Sequence, residues 1–154
     1  MTPADVEYRE TKDIDPDTLQ HFFRQEQWND FLDLDEVEHY LRSAVYVVTA
    51  WLNDELIGYA NLVGDGRTWV EISDVVVKCD CQGRGIATEM VRRMMEHIKE
   101  LNPYFINVSP IGDREAHLYS KFGFAEVPYR MMEIKTEKLS RKVAQVRRKD
   151  EPEA

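Results

Sequence analysis

The stretch Val75-Val-Val-Lys-Cys-Asp-Cys-Gln-Gly-Arg-Gly-Ile-Ala-Thr88 constrains the fold more than any other part of this chain. A β-branched apolar run ends, a loop with two glycines follows, and an amphipathic helix starts at once. Ile86, Met90, Val91, Met94, Met95, Ile98 and Leu101 recur at helical spacing, which predicts a helix over about 85–100 with one apolar stripe. No Ser, Thr, Asp or Asn stands between Gln82 and Ile86, where the N-cap belongs. An uncapped first turn presents free N–H groups and the positive end of the helix dipole. Gly83 and Gly85 let a bulky anion approach that backbone. The unit is built to hold a phosphate-bearing ligand at the helix start.

Two common phosphate motifs do not fit. The dinucleotide fingerprint G-x-G-x-x-G requires a third glycine where Thr88 stands, and the P-loop requires a lysine that is missing here. What remains is Q-x-x-G-x-A, spelled Gln82-Gly83-Arg84-Gly85-Ile86-Ala87.

A chain of 154 residues, 43% hydrophobic and 32% charged, suits one globular domain with a real core. No apolar run is long enough to span a bilayer, and the opening residues lack a basic-then-apolar signal pattern; cytoplasmic residence is the expectation. The net charge of −9 argues against general nucleic-acid binding and suits cationic acceptors such as amines. The stretch Lys135–Lys149 is basic against that average, and residues 136–154 read as a charged, solvated tail, disordered or helical, beyond a domain of residues 1–135. Cys79 and Cys81 are too close in sequence for an unstrained disulfide, and no further ligand pair suggests a metal site.

The remaining pattern predicts a strand at Val6–Arg9 and a helix after Asp15-Pro16. A second helix covers Asp35–Ser43, and strands follow at Val45–Leu52, Leu56–Val63 and Trp69–Lys78. After the loop and its helix come a strand at Phe105–Ser109, a helix over Asp113–Phe122 capped by Asp113, and final strands at Phe124–Val127 and Arg130–Lys135. The order β-α-α-β-β-β-α-β-α-β-β implies an α+β fold, with a mixed sheet of six to seven strands and helices on both faces.

The segment Ala116-His-Leu-Tyr-Ser-Lys-Phe-Gly-Phe124 follows the loop by about thirty residues. The loop and this segment together resemble the two signatures of the GCN5-related N-acetyltransferases, Q/R-x-x-G-x-G/A and A-x-x-[LI]-Y-x-x-x-G-F. The resemblance covers roughly Val45–Ile134. One departure is Asp113, where many members carry an asparagine that contacts the cofactor.

This resemblance implies a single domain that binds acetyl-CoA. Main-chain groups of Val75, Val76 and Val77 would pair with the pantetheine arm. The loop Gln82, Gly83, Arg84, Gly85, Ile86, Ala87 and Thr88 would hold the pyrophosphate. Tyr119 matches the general acid that protonates the leaving thiolate, and Glu71, eleven positions before Gln82, matches a general base. Asp74 and a water chain are the alternatives for the base. Strand alternation puts Glu71 and Asp74 on opposite faces, unless a bulge intervenes.

The acceptor is expected to be a primary amine of a small molecule, held by Trp28, Asp30 and Phe31 of the acidic segment and by Tyr129. A protein lysine or N-terminus is the second reading, and a non-catalytic acyl-CoA sensor or interaction module the third. No cysteine or serine has the partners of a covalent route, so transfer is expected to be direct. A homodimer is left open.

Overall fold

The computed structural model describes residues 5–109 and 111–150. The elements are β1 (Glu7–Arg9), α1 (Pro16–Gln25), α2 (Leu34–Ser43), β2 (Tyr46–Leu52), β3 (Glu55–Gly64), β4 (Trp69–Val77), α3 (Ile86–Leu101), β5 (Phe105–Val108), α4 (Asp113–Ser120) and α5 (Glu137–Asp150). The sheet runs β1-β2-β3-β4-β5. Its first four strands pair antiparallel, and β5 joins β4 in parallel through the α3 crossover.

Local chemistry explains most of the boundaries. Asp15 caps α1, with Pro16 at the first helical position. Asp33 and Glu36 close a reciprocal capping box on α2. Asn53 and Asp54, both at positive φ, form a two-residue link between β2 and β3, as a tight hairpin requires. α3 ends where Asn102 turns left-handed and returns its N–H to the Ile98 carbonyl.

Two cores lie on either side of the sheet. Leu19, Phe22 and Phe23 of α1 with Val37 and Leu41 of α2 cover one face, against Val47, Trp51, Tyr59 and Val76. Ile86, Met90, Val91, Met94 and Ile98 of α3 cover the other, joined by Tyr119 of α4. Each buried aliphatic side chain contributes about 1.5–3 kcal/mol. A missing N-cap costs only about 0.5–2 kcal/mol. The α3 stripe therefore supports a helix whose start is left free.

The sequence-based order holds from β1 through α4 and then fails. The two strands expected at Phe124–Val127 and Arg130–Lys135 are not formed, and among the described residues the sheet has five strands rather than six to seven. A strand needs a ladder partner, and β5 offers only four residues, paired to β4 on one side. Pro128 also removes a main-chain donor between the two segments. Val127, Tyr129, Met131, Met132 and Ile134 are accordingly exposed.

The basic stretch forms α5. Lys142 contacts Asp33 Oδ2 at 2.8 Å and Glu36 Oε2 at 3.1 Å, so this helix is tied to the start of α2. The last four residues of the expected tail lie outside the described residues. No described helix is long and apolar enough to cross a membrane.

Candidate active site

β4 pairs with β5 only from Trp69↔Phe105 to Ile72↔Val108. β5 ends at Val108, opposite Ile72, and among the described residues no strand pairs with the β4 edge from Ser73 to Val77 on that side. A cleft of about 350 Å³ opens there, between the end of β4, the start of α3 and α4. Val75, Val77, Gln82, Gly83, Gly85, Ile86, Ala87, Thr88 and Tyr119 line it. Sequence reasoning had singled out all of these.

Two members of the predicted set behave differently. Val76 turns its side chain into the opposite core, so only its main chain serves the β4 edge. Arg84 is exposed and turns back to the Asp80 carbonyl at 3.4 Å. Arg114 lines the cleft instead, with Nη1 3.4 Å from Gln82 Oε1. It was missed because nothing in its local pattern marks it, and only the packing of α4 beside the loop brings it there. Lys121 and His117 add to the same wall.

The α3 start is open. Gly85 is the N-cap at φ 81° and no side chain caps it. The first helical bond runs from the Glu89 N–H to the Gly85 carbonyl, and among the described residues no acceptor takes the amides from Gly83 to Thr88, whereas the Gln82 N–H goes to the Cys79 carbonyl. A Cβ built on Gly83 or Gly85 would meet nothing within 4 Å. Free donors, the helix dipole and clear space suit a pyrophosphate-sized anion. Asp113 does not cap α4 as expected: Gly112 holds that position, and Asp113 is the first helical residue.

A second cleft of about 520 Å³ lies between β5, α4 and the segment after Gly123. Tyr119 lines both clefts. Its phenol is buried, and burial foremost, followed by the charges of Glu115 and Asp74, raises its pKa to about 12. It therefore keeps its proton across the neutral range and can donate it.

Glu71 and Asp74 share one sheet face, contrary to simple alternation. The β3–β4 register slips so that Asn61 faces Asp74 and Leu62 faces Ile72, leaving Ser73 as an extra residue. Ile72 and Val77 point to the α3 side, whereas Asp74 and Val76 point to the α1–α2 side. Glu71 is half-buried there. Asp74 is only 8% exposed, and desolvation raises its pKa, partly offset by Trp28 and Asn29. Asn29 Nδ2 donates to Asp74 Oδ2 at 3.1 Å.

The α1–α2 loop makes this contact by its turns: Gln27 and Asn29 both have positive φ, and the Trp28 N–H returns to the Phe23 carbonyl at 2.8 Å. Of the residues proposed for an acceptor, Trp28 therefore meets Asp74. Asp30 and Phe31 sit half-buried in the same loop and line neither cleft. Tyr129 is 82% exposed and stands apart, because the strand expected to carry it is not formed. Asn29 was missed; an asparagine in an acidic loop carries no sequence signal.

The sequence model of the acetyltransferase (GNAT) family matches residues 8–124. A GNAT-family acetyltransferase from Streptococcus pneumoniae superposes with a TM-score of 0.72 at 20% identity, over 86% of this chain and 99% of its own. A Staphylococcus aureus protein of unknown function gives a TM-score of 0.72 at 25% identity, over 85% and 99%. An aminoglycoside N-acetyltransferase solved in complex with CoA gives 0.66 at 12% identity, over 86% and 95%. No curated protein matches in sequence.

Proposed function

From the membership of this chain in the GNAT acetyltransferase family, we propose that it transfers an acetyl group from acetyl-CoA directly to a primary amine of a small molecule. One observation carries the reading: the unpaired end of the β4 edge, the uncapped α3 start and Tyr119 border one continuous cleft. Bound acetyl-CoA would supply an activated thioester. Main-chain groups of Val75–Val77 would pair with its pantetheine arm as an added strand does. The amides from Gly83 to Thr88 would hold its pyrophosphate, with Gln82 beside them and Arg114 adding charge in the place first given to Arg84.

An alkyl amine has a pKa near ~10 and must lose a proton to attack. We assign that proton to Asp74 rather than to Glu71. Asp74 is the more deeply buried, and its raised pKa brings it nearer the neutral range where a base is effective. Tyr119 then delivers its phenolic proton to the departing sulfur. Asn29 and the Trp28 indole N–H both donate toward the carboxylate and hold its direction.

A small amine is favoured over a protein because the base is nearly closed off by the α1–α2 loop. Thiol release from acetyl-CoA is the test, measured with alkyl, arylalkyl and polyamine acceptors beside lysine and N-terminal peptides. Turnover of the small amines is expected. Turnover of peptides alone would overturn the acceptor assignment, and CoA binding without turnover of any acceptor would overturn catalysis.

A further inference from the structure

Asn61 is fully buried on β3 and touches neither cleft. It is the register partner of Asp74, at the point where the β3–β4 ladder slips. Its side-chain Oδ1 accepts the main-chain N–H of Asp74 at 3.1 Å. A side chain of one strand thus holds the backbone of the next at the bulge.

The same residue brings a cost. Asn61 Nδ2 and the Tyr59 hydroxyl are both buried and neither makes a well-formed hydrogen bond, although the two side chains lie close enough that Asn61 partly offsets the burial that raises the Tyr59 pKa. A leucine, larger but of the same branched shape, would face this apolar core without a buried amide. Asn61 is therefore poorly explained as a packing residue, and its one well-formed side-chain hydrogen bond is to the bulge.

We propose that Asn61 is a positioning residue for the acetyl transfer: by holding the Asp74 N–H it maintains the bulge that turns the Asp74 carboxylate toward the α1–α2 loop. Without that acceptor, the simplest repair is to absorb Ser73 into a regular ladder. A one-residue slip sends alternate side chains to opposite faces. Asp74 would then leave Asn29 and Trp28 for the α3 side. Neutrality matters as well. An aspartate would accept the same N–H but set a second carboxylate beside Asp74.

This inference deepens the assignment of Asp74 as the base and rests on it for its catalytic meaning, while its geometry can be tested apart from turnover. The titratable groups around Asp74 are Tyr119 from α4, Tyr59 on the shared face of β3, and Glu71 along β4; the loop supplies the uncharged Trp28 and Asn29.

NMR of the full chain with acetyl-CoA present gives the readout. In the native protein the Asn29 side-chain amide shifts should follow the titration of the bonded Asp74 carboxyl. In Asn61→Leu this coupling is expected to vanish. In Asn61→Asp it is expected to persist, with its midpoint raised by about one pH unit through like-charge repulsion. An unchanged coupling and midpoint in Asn61→Leu would overturn the positioning role. Should that variant not fold, an unchanged midpoint in Asn61→Asp does the same. Asp74→Asn turnover separates the two readings: full activity there removes the base assignment, whatever Asn61 does to the geometry.

Discussion

Asn29 and Asp74 lie 45 residues apart in sequence and meet through a hydrogen bond of 3.1 Å. The bond joins the α1–α2 loop to the strand beside the cleft. It stabilises the charged form of a carboxylate that burial disfavours. The pair thus balances two opposing influences on one group, and most of the chemistry assigned here depends on that balance.

Asp74→Asn is expected to lower kcat/KM for the best amine by about 10²–10⁴-fold, the usual contribution of a general base. The thermal shift on adding acetyl-CoA should be kept. Stability should move the other way. Because the folded pKa of Asp74 is raised, its contribution to stability is full below the unfolded pKa and is lost as pH rises through the folded value. At neutral pH the Asn variant should therefore melt higher than the native protein, and at acidic pH the gap should close. Calorimetry across pH checks the sign.

Tyr119→Phe is expected to lower kcat with little change in KM for acetyl-CoA, because it removes a proton donor and keeps the ring packed on Phe124. With its pKa at about 12, the phenol stays protonated through the neutral range. Its loss should reduce the rate throughout that range rather than shift a pH limb. An unchanged kcat would remove the acid role.

Gly85→Ala tests the anion cradle. The left-handed backbone at φ 81° should cost roughly 1–2 kcal/mol of stability with a side chain present. The new methyl meets no protein atom, so any further effect belongs to the ligand. The dissociation constant for CoA is expected to rise about tenfold or more, since the methyl would stand where an anion approaches the backbone. Isothermal titration with CoA measures it.

Helix α5 is expected to detach with salt. Lys142 reaches the N-cap Asp33 and Glu36 at the start of α2, and Lys138 reaches Glu36 at 3.2 Å. These are surface pairs, which ions screen. Hydrogen exchange in α5 should quicken between low salt and about 1 M, while α3 stays protected. Lys142→Ala should show the faster exchange already at low salt.

The helices and the first four strands were legible because their signals are local. Asp15-Pro16, the Asn53-Asp54 link and the α3 stripe each act within a few residues. The cleft lining followed from one strand–loop–helix segment and from Tyr119. The final strands failed because strand propensity is realised only against a partner, and β5 offers a short edge. Arg114 and Asn29 had no local signal; each functions through a neighbour more than thirty positions away.

Neighbouring residues alone dictate that a β-branched strand runs through a glycine loop into an uncapped amphipathic helix, because periodicity and missing caps are local properties. The same local pattern also settles that Glu71 and Asp74 both lie on that strand. Which of them is enclosed was decided by the tertiary structure alone. An extra residue in β4, held by a side chain of β3, reverses the alternation that sequence spacing implies. A strand's faces are set by its pairing, and pairing is a relation between strands that neither one carries alone.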